Sequence, residues 1–316
     1  MMHVFVYEHL SGGAVEAPGE ELLALGRAMR DAVARDLLQL HDCAVTVAAG
    51  ACAPAVPAGA RAVQPAPGLA AAEFVAQQAR GHDRTWVIAP ETDGVLAQLQ
   101  RSVEPARWIG CDAAAIALAS SKRATLAQAA AHGIATPLDF AASPATRRWV
   151  VKPDDGAGAM ATRVHSTRAA AQDDLEARRE RGEAAVLEAW VAGEPLSVSL
   201  SCGAGGVELL SVNRQQLSVD ALGVLSFAGV QVNALPADDA RVPALRSWAQ
   251  ALMRAVPGLQ GFVGFDLVWH PRRGPVLIEI NPRVTMAYVG LSAALARNLA
   301  GAVLAQHCPE PARAAA

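Results

Sequence analysis

Gly264-Phe265-Asp266-Leu267-Val268-Trp269 and, after a short turn, Gly274-Pro275-Val276-Leu277-Ile278-Glu279-Ile280-Asn281-Pro282-Arg283 decide how this chain is read. Both segments alternate as strands do, and side chains two apart on a strand share a face. Alternation puts Glu279 and Asn281 side by side, with Leu277 on their face and Val276, Ile278 and Ile280 turned into the core. If the Pro271–Gly274 turn closes a hairpin, Asp266 joins them and three oxygen ligands converge. Magnesium takes hard oxygens, few of them from protein, and completes its shell with phosphate and water. An Asp, a Glu and an Asn meet that demand. Glu279 alone would read as a solvated residue on an amphipathic strand; the ordered set with Pro282 and Arg283 weighs against that.

Upstream, Val150-Val151-Lys152-Pro153-Asp154-Asp155-Gly156-Ala157-Gly158-Ala159 joins a lysine-bearing strand to a glycine-rich turn. An ammonium on a strand can meet phosphates, and small residues let backbone N–H groups approach an anion. Gly156-x-Gly158-x-x-Ala161 also satisfies the loose dinucleotide fingerprint, which requires a helix to follow. Thr162-Arg163-Val164-His165 reads instead as a returning strand. A plain hairpin turn without a ligand is the remaining alternative.

These segments resemble the ATP-grasp superfamily, whose metal-binding end carries the pattern Asp…Glu-x-Asn-Pro-Arg. The resemblance implies an ATP-grasp fold (α/β and α+β) with an N-terminal Rossmann-like, pre-ATP-grasp domain over 1–115. A small lobe over 116–185 and a large lobe with the metal site over 186–316 would follow. It implies that Asp266, Glu279 and Asn281 hold Mg2+ (or Mn2+) on ATP, and that Arg283 contacts the phosphate or an acyl-phosphate intermediate. Lys152 with Gly156 and Gly158 would form the phosphate flap, and Lys122, at a Ser-Lys helix start, the earlier nucleotide lysine. Glu188-Ala189-Trp190-Val191 would be the hinge that meets adenine, with Glu188 near its amino group and Glu194 on the ribose. Arg214, in Val212-Asn213-Arg214-Gln215-Gln216, could bind a substrate carboxylate or the transferring phosphoryl group; a surface turn is the other reading.

The implied reaction is ligation of a carboxylate to an amine. Tyr7-Glu8-His9-Leu10-Ser11-Gly12-Gly13 and Ala89-Pro90-Glu91-Thr92-Asp93, with Asn213-Arg214-Gln215, resemble a subgroup that includes tyramine–glutamate ligases of methanofuran biosynthesis. There L-glutamate and tyramine are the partners. Glu8 and Glu91 follow strands, where open sheets place ligands, and each could bind an amine or cap the next helix. Two alternatives stand beside this: a ligase for another amino acid or peptide, and a nucleotide-binding regulator without turnover. Homodimers are common among such enzymes.

Composition agrees with a globular enzyme of 316 residues, enough for two cores. Hydrophobic residues make up 52% and charged residues 18%, which excludes a disordered chain. A net charge of -3 without a basic run argues against nucleic acid, whose phosphates demand a lysine- or arginine-rich face. No apolar stretch approaches the ~18 residues of a membrane helix. Cys43, Cys52, Cys111, Cys202 and Cys308 are odd in number and read as buried free thiols in a reducing, cytoplasmic protein. The eight histidines form no zinc-binding set, and no nucleophile elbow is present.

Along the chain, strands at 4–7, 44–48, 86–89 and near Trp108 alternate with helices at 20–40, 69–80 and up to 101, predicting a parallel sheet. Residues 50–67 read as loop. After a helix at 121–132, strands at 148–152, 162–165, 186–188, 196–201, 207–213, 224–227, 261–269 and 276–280 read as hairpins. Helices are expected at 240–256 and 290–305, with a frayed tail at 309–316.

Overall fold

The computed structural model describes residues 1–156, 158–203 and 205–307. Cys308, the tail and Ala157 of the expected phosphate flap lie outside the described residues.

The first unit contains β1 (Met2–Glu8), α1 (Glu20–Leu38), β2 (Cys43–Ala48), β3 (Arg61–Val63), α2 (Ala71–Arg80), β4 (Arg84–Ile88), α3 (Val95–Arg101) and β5 (Trp108–Ile109). Its sheet runs β3-β2-β1-β4-β5 and is parallel throughout. The order reverses between β1 and β4, so their C-terminal ends frame the crevice where such sheets place ligands. Strand β3 lies inside the segment expected to be loop; three residues between prolines and glycines are too few for a period to show. On α1 the buried stripe is Gly26, Arg30, Val33, Ala34 and Leu37, while Leu22 is exposed. Glu8 and Arg30 shift that stripe. A Cβ on Gly26 would sit 2.5 Å from the Glu8 carboxylate. Arg30, 0% exposed, donates to the carbonyls of Ala48, Ala53 and Ala55 and so holds the loop after β2.

Next come α4 (Ala113–Ala119), α5 (Lys122–Ala131), β6 (Trp149–Pro153), β7 (Arg163–His165), α6 (Arg168–Glu180) and β8 (Ala185–Ala189). The three strands form an antiparallel sheet ordered β7-β6-β8. The returning strand after the glycine turn is thus present, and the dinucleotide alternative is excluded. Helix α6 is absent from the sequence reading. Its polar composition hides it, because Ala171 and Leu175 are its only buried apolar residues, but its start is signalled by Thr167, whose side chain accepts from Ala170 N–H.

The last unit holds β9 (Glu194–Gly203), β10 (Gly206–Val219), β11 (Leu225–Gln231), α7 (Val242–Ala255), β12 (Gly261–His270) and β13 (Gly274–Asn281), then α8 (Leu291–Ala294) and α9 (Leu299–His307). Its antiparallel sheet runs β11-β10-β9-β12-β13. The single helix expected at 290–305 is two helices, because Ala296 takes φ +48° and the Asn298 side chain accepts from Gly301 N–H to start the second. Asp36 on α1 accepts hydrogen bonds from Tyr288 and Ser292, fastening the first unit to this segment.

A large apolar core runs from Phe5, Phe74 and Leu96 through Ile116 and Leu126 to Val198, Leu252 and Phe265. Trp149, Val151, Ala171, Leu175, Ala185 and Ala189 make a separate small core. Cys111 and Cys202 are buried, but Cys43 is half-buried and Cys52 exposed, which corrects the expectation for those two thiols. Burial pushes the Cys111 thiol up to about 12. Among the described residues no helix is long and apolar enough to cross a membrane.

Candidate active site

Strands β12 and β13 pair so that Asp266 lies opposite Glu279, and Asp266 in turn lies opposite Ser197 on β9. Residues in register share a face, so the two acids stand side by side. The register then shifts: Leu267 pairs with Leu277, and Ile278 is the extra residue of a bulge. This corrects the expected alternation. Leu277 turns into the core with Leu267, and Ile278 is only half-buried.

Burial and the neighbouring Glu279 charge push the Asp266 carboxyl well above the usual carboxylate range, although Gln215 and Asn281 hydrogen-bond to it. Burial also works against Glu279 ionising, but Lys122 and Lys152 outweigh it and hold that carboxyl low. Lys122 is the first residue of α5, whose N-terminus is tied to the β6 turn. Asp154 accepts from Ser121 Oγ and Arg123 N–H, both at 2.8 Å. The Lys122 ammonium consequently reaches Glu279 Oε2 at 3.4 Å and also donates to Gly156 O. Lys152 on β6 pairs with Glu188 on β8 at 2.8 Å, both nearly buried. Glu91, just past β4, lies against Arg283. Glu91, Lys122, Asp155, Gly156, Glu279 and Asn281 line a narrow cleft of about 10 Å³.

An acidic row on two antiparallel strands, approached by one lysine from α5 and one from a separate three-stranded sheet, agrees with the family model for the ATP-grasp domain, which matches residues 119–287. The chain belongs to the ATP-grasp family. A second model, for the pre ATP-grasp 3 domain, matches residues 43–116.

Solved ATP-grasp structures share the fold. An ATP-grasp superfamily protein from Archaeoglobus fulgidus superposes with TM-score 0.69 at 21% identity, covering 96% of this chain and 88% of that one. The L-amino acid ligase from Bacillus licheniformis gives 0.67 at 16% identity, with 97% and 74% covered. The D-alanine–D-alanine ligase from Bacillus anthracis complexed with ATP gives 0.65 at 14%, with 97% of each chain covered. No curated protein matches the sequence.

The residues fit ATP and a divalent cation on two observations. Two adjacent carboxyls, one of which burial and its neighbour's charge keep from ionising, with an amide oxygen alongside, are a donor set that suits a hard cation. Glu188 keeps Oε1 buried with no partner among the described residues, an acceptor suited to an exocyclic amine. Strand β8 is also an edge strand, so the outer backbone edge at Glu188 and Ala189 is not paired in the sheet. Beyond it Trp190 N–H donates to Arg148 O at 3.0 Å, and Val191 is buried. Gly158 has φ +68° and open space around it, a conformation glycine adopts without strain.

Two expected contacts take another form. Both oxygens of Glu194 are held by arginines, Arg214 at 2.7 Å and Arg241 at 2.6 Å. Arg214 has Glu194 and Gln231 as its partners, and its chain neighbour Gln215 is the residue that reaches Asp266. Period-two alternation held that signal, since 214 and 215 must face opposite ways. Glu8 accepts from the N–H groups of Leu10 and Ser11 in the turn after β1 and does not cap α1, whose N-cap is Gly19. Glu91 makes no side-chain cap at the following 3-10 turn.

Proposed function

We propose that this chain is an ATP-dependent carboxylate–amine ligase working through an acyl phosphate. The single observation that carries the reading is the Lys122–Glu279 pair at 3.4 Å, where the lysine from α5 meets the acidic row of β12 and β13. Asp266, Glu279 and Asn281 would hold magnesium or manganese, which when bound neutralises and orients the triphosphate.

Lys122 and Lys152 are engaged by Glu279 and Glu188 and can exchange those carboxylates for phosphate oxygens. The cleft has room for only about 10 Å³, far below the ~300 Å³ at which small-molecule sites begin, so nucleotide entry requires it to widen. A substrate carboxylate oxygen then attacks the γ-phosphorus and ADP leaves. The amine nitrogen attacks the acyl carbon, inorganic phosphate leaves, and the nitrogen loses a proton. The protein contributes positioning and fixed positive charge to both steps.

Amino-acid-type substrates are supported by the kinds of ligase that share the fold, which include an L-amino acid ligase and a D-alanine–D-alanine ligase. Within that class the Tyr7–Gly13 segment makes L-glutamate and tyramine the first pair to test. ADP release against a panel of amino acids, each with and without tyramine, tests the proposal. Release that requires both an acid and an amine supports it. Tight ATP binding with no ADP from any pair would instead make the chain a nucleotide-binding regulator.

A further inference from the structure

Arg283 is held in a two-pronged pair by Glu91, a residue of the cleft lining: Nε donates to Oε1 and Nη2 to Oε2, each at 2.9 Å. Nη1 donates to Val284 O at 3.2 Å. A guanidinium carries five N–H groups in one plane. Among the described residues three are engaged, which leaves one on each terminal nitrogen. With the Nε edge locked, the plane cannot rotate, and two donors remain on the two terminal nitrogens, the arrangement that grips an oxyanion with two bonds.

Fastening the two units together is a poor explanation for this pair. Buried ion pairs are weak stabilisers against apolar alternatives. The units are already joined by Asp36 to Tyr288 and Ser292 and by a continuous apolar core. Glu91 also lines the same cleft as Lys122, Glu279 and Asn281.

We propose that Glu91 is a positioning residue for Arg283, fixing the guanidinium so that its two remaining N–H groups meet the oxyanion formed in acyl transfer. This rests on the ligase reading above. Glu91 itself touches no reacting atom; it acts through Arg283.

Wild type, Glu91→Gln, Arg283→Lys and the double variant are compared by steady-state ADP release with the best acid–amine pair, ATP affinity and thermal melting. Glu91→Gln should lower kcat on the order of 10²-fold, the cost of a misplaced reacting group. KM for ATP should stay within about two-fold, because the lysines and the acidic row are untouched. The double variant should be within about two-fold of Arg283→Lys alone, since residues acting as a unit are not additive. Retained ATP affinity shows that each variant is folded. Wild-type kcat in Glu91→Gln, or losses that multiply in the double variant, overturns the proposal. A wild type that binds ATP but releases no ADP with any pair removes the ligase reading itself, and the positioning role with it.

Discussion

Lys152 and Glu188 sit diagonally on neighbouring strands with Nζ and Oε2 2.8 Å apart, both side chains under a tenth exposed. The other oxygen of that carboxylate, Oε1, is buried and has no partner among the described residues.

Removing one partner of that pair leaves a buried charge uncompensated. Glu188→Ala should therefore lose about 3–5 kcal/mol of stability in urea unfolding. Saturating Mg-ATP should narrow the gap, because phosphate takes over as the counter-ion of Lys152. Equal losses with and without nucleotide would disconnect Lys152 from the phosphates.

Asp266→Asn and Glu279→Ala should each reduce ADP release by at least about 10²-fold, the scale of losing one preorganised electrostatic group. Asp266→Asn should melt no lower than wild type, since it relieves the clash of two adjacent acids. A folded Glu279→Ala protein with full turnover refutes the site.

Acid should weaken the small lobe through Asp174. Burial raises its pKa, but hydrogen bonds from Arg178 and His165, the latter at 2.9 Å, outweigh it and hold the carboxyl below its ordinary value. A folded pKa depressed below the unfolded one gives stability that is present above the unfolded value, near ~4, and is lost as pH falls through the folded value. The urea midpoint of wild type should drop between pH 6 and pH 3 more than that of Asp174→Asn. Parallel curves would dismiss the contribution.

Gly193 joins β8 to β9 with φ +157°, and a Cβ there would lie 2.3 Å from Trp269 O. Gly193→Ala should cost about 1–3 kcal/mol through backbone shifts and raise KM for ATP by displacing the hinge. A melting point and KM equal to wild type would show that the hinge absorbs the methyl group.

What the sequence made readable is what depends on neighbours along one strand or one helix start. Two-residue alternation brings Asp266, Glu279 and Asn281 to one place, and the Ser121 cap sets Lys122 at the mouth of α5. The β-bulge at Ile278 was hidden because it depends on two strands at once. Contacts between distant segments were hidden for the same reason. Nothing near Glu194 announces Arg241, forty-seven positions on, or near Glu91 announces Arg283. Helix α6 failed to register because a helix resting one thin stripe on a small sheet needs few apolar residues.

The separate core beneath β6, β7 and β8 has a thermodynamic consequence. Six buried side chains close it, three of them alanines, while the other two sheets share one continuous cluster. Segments with little buried apolar area open at lower free energy than the whole molecule unfolds. In deuterated buffer without nucleotide, amides of Trp149–Pro153 and Ala185–Ala189 should exchange well before those of Gly261–His270. Ordering this layer when ATP binds should then consume part of the binding energy, so the affinity is expected to fall below what the contacts alone would give.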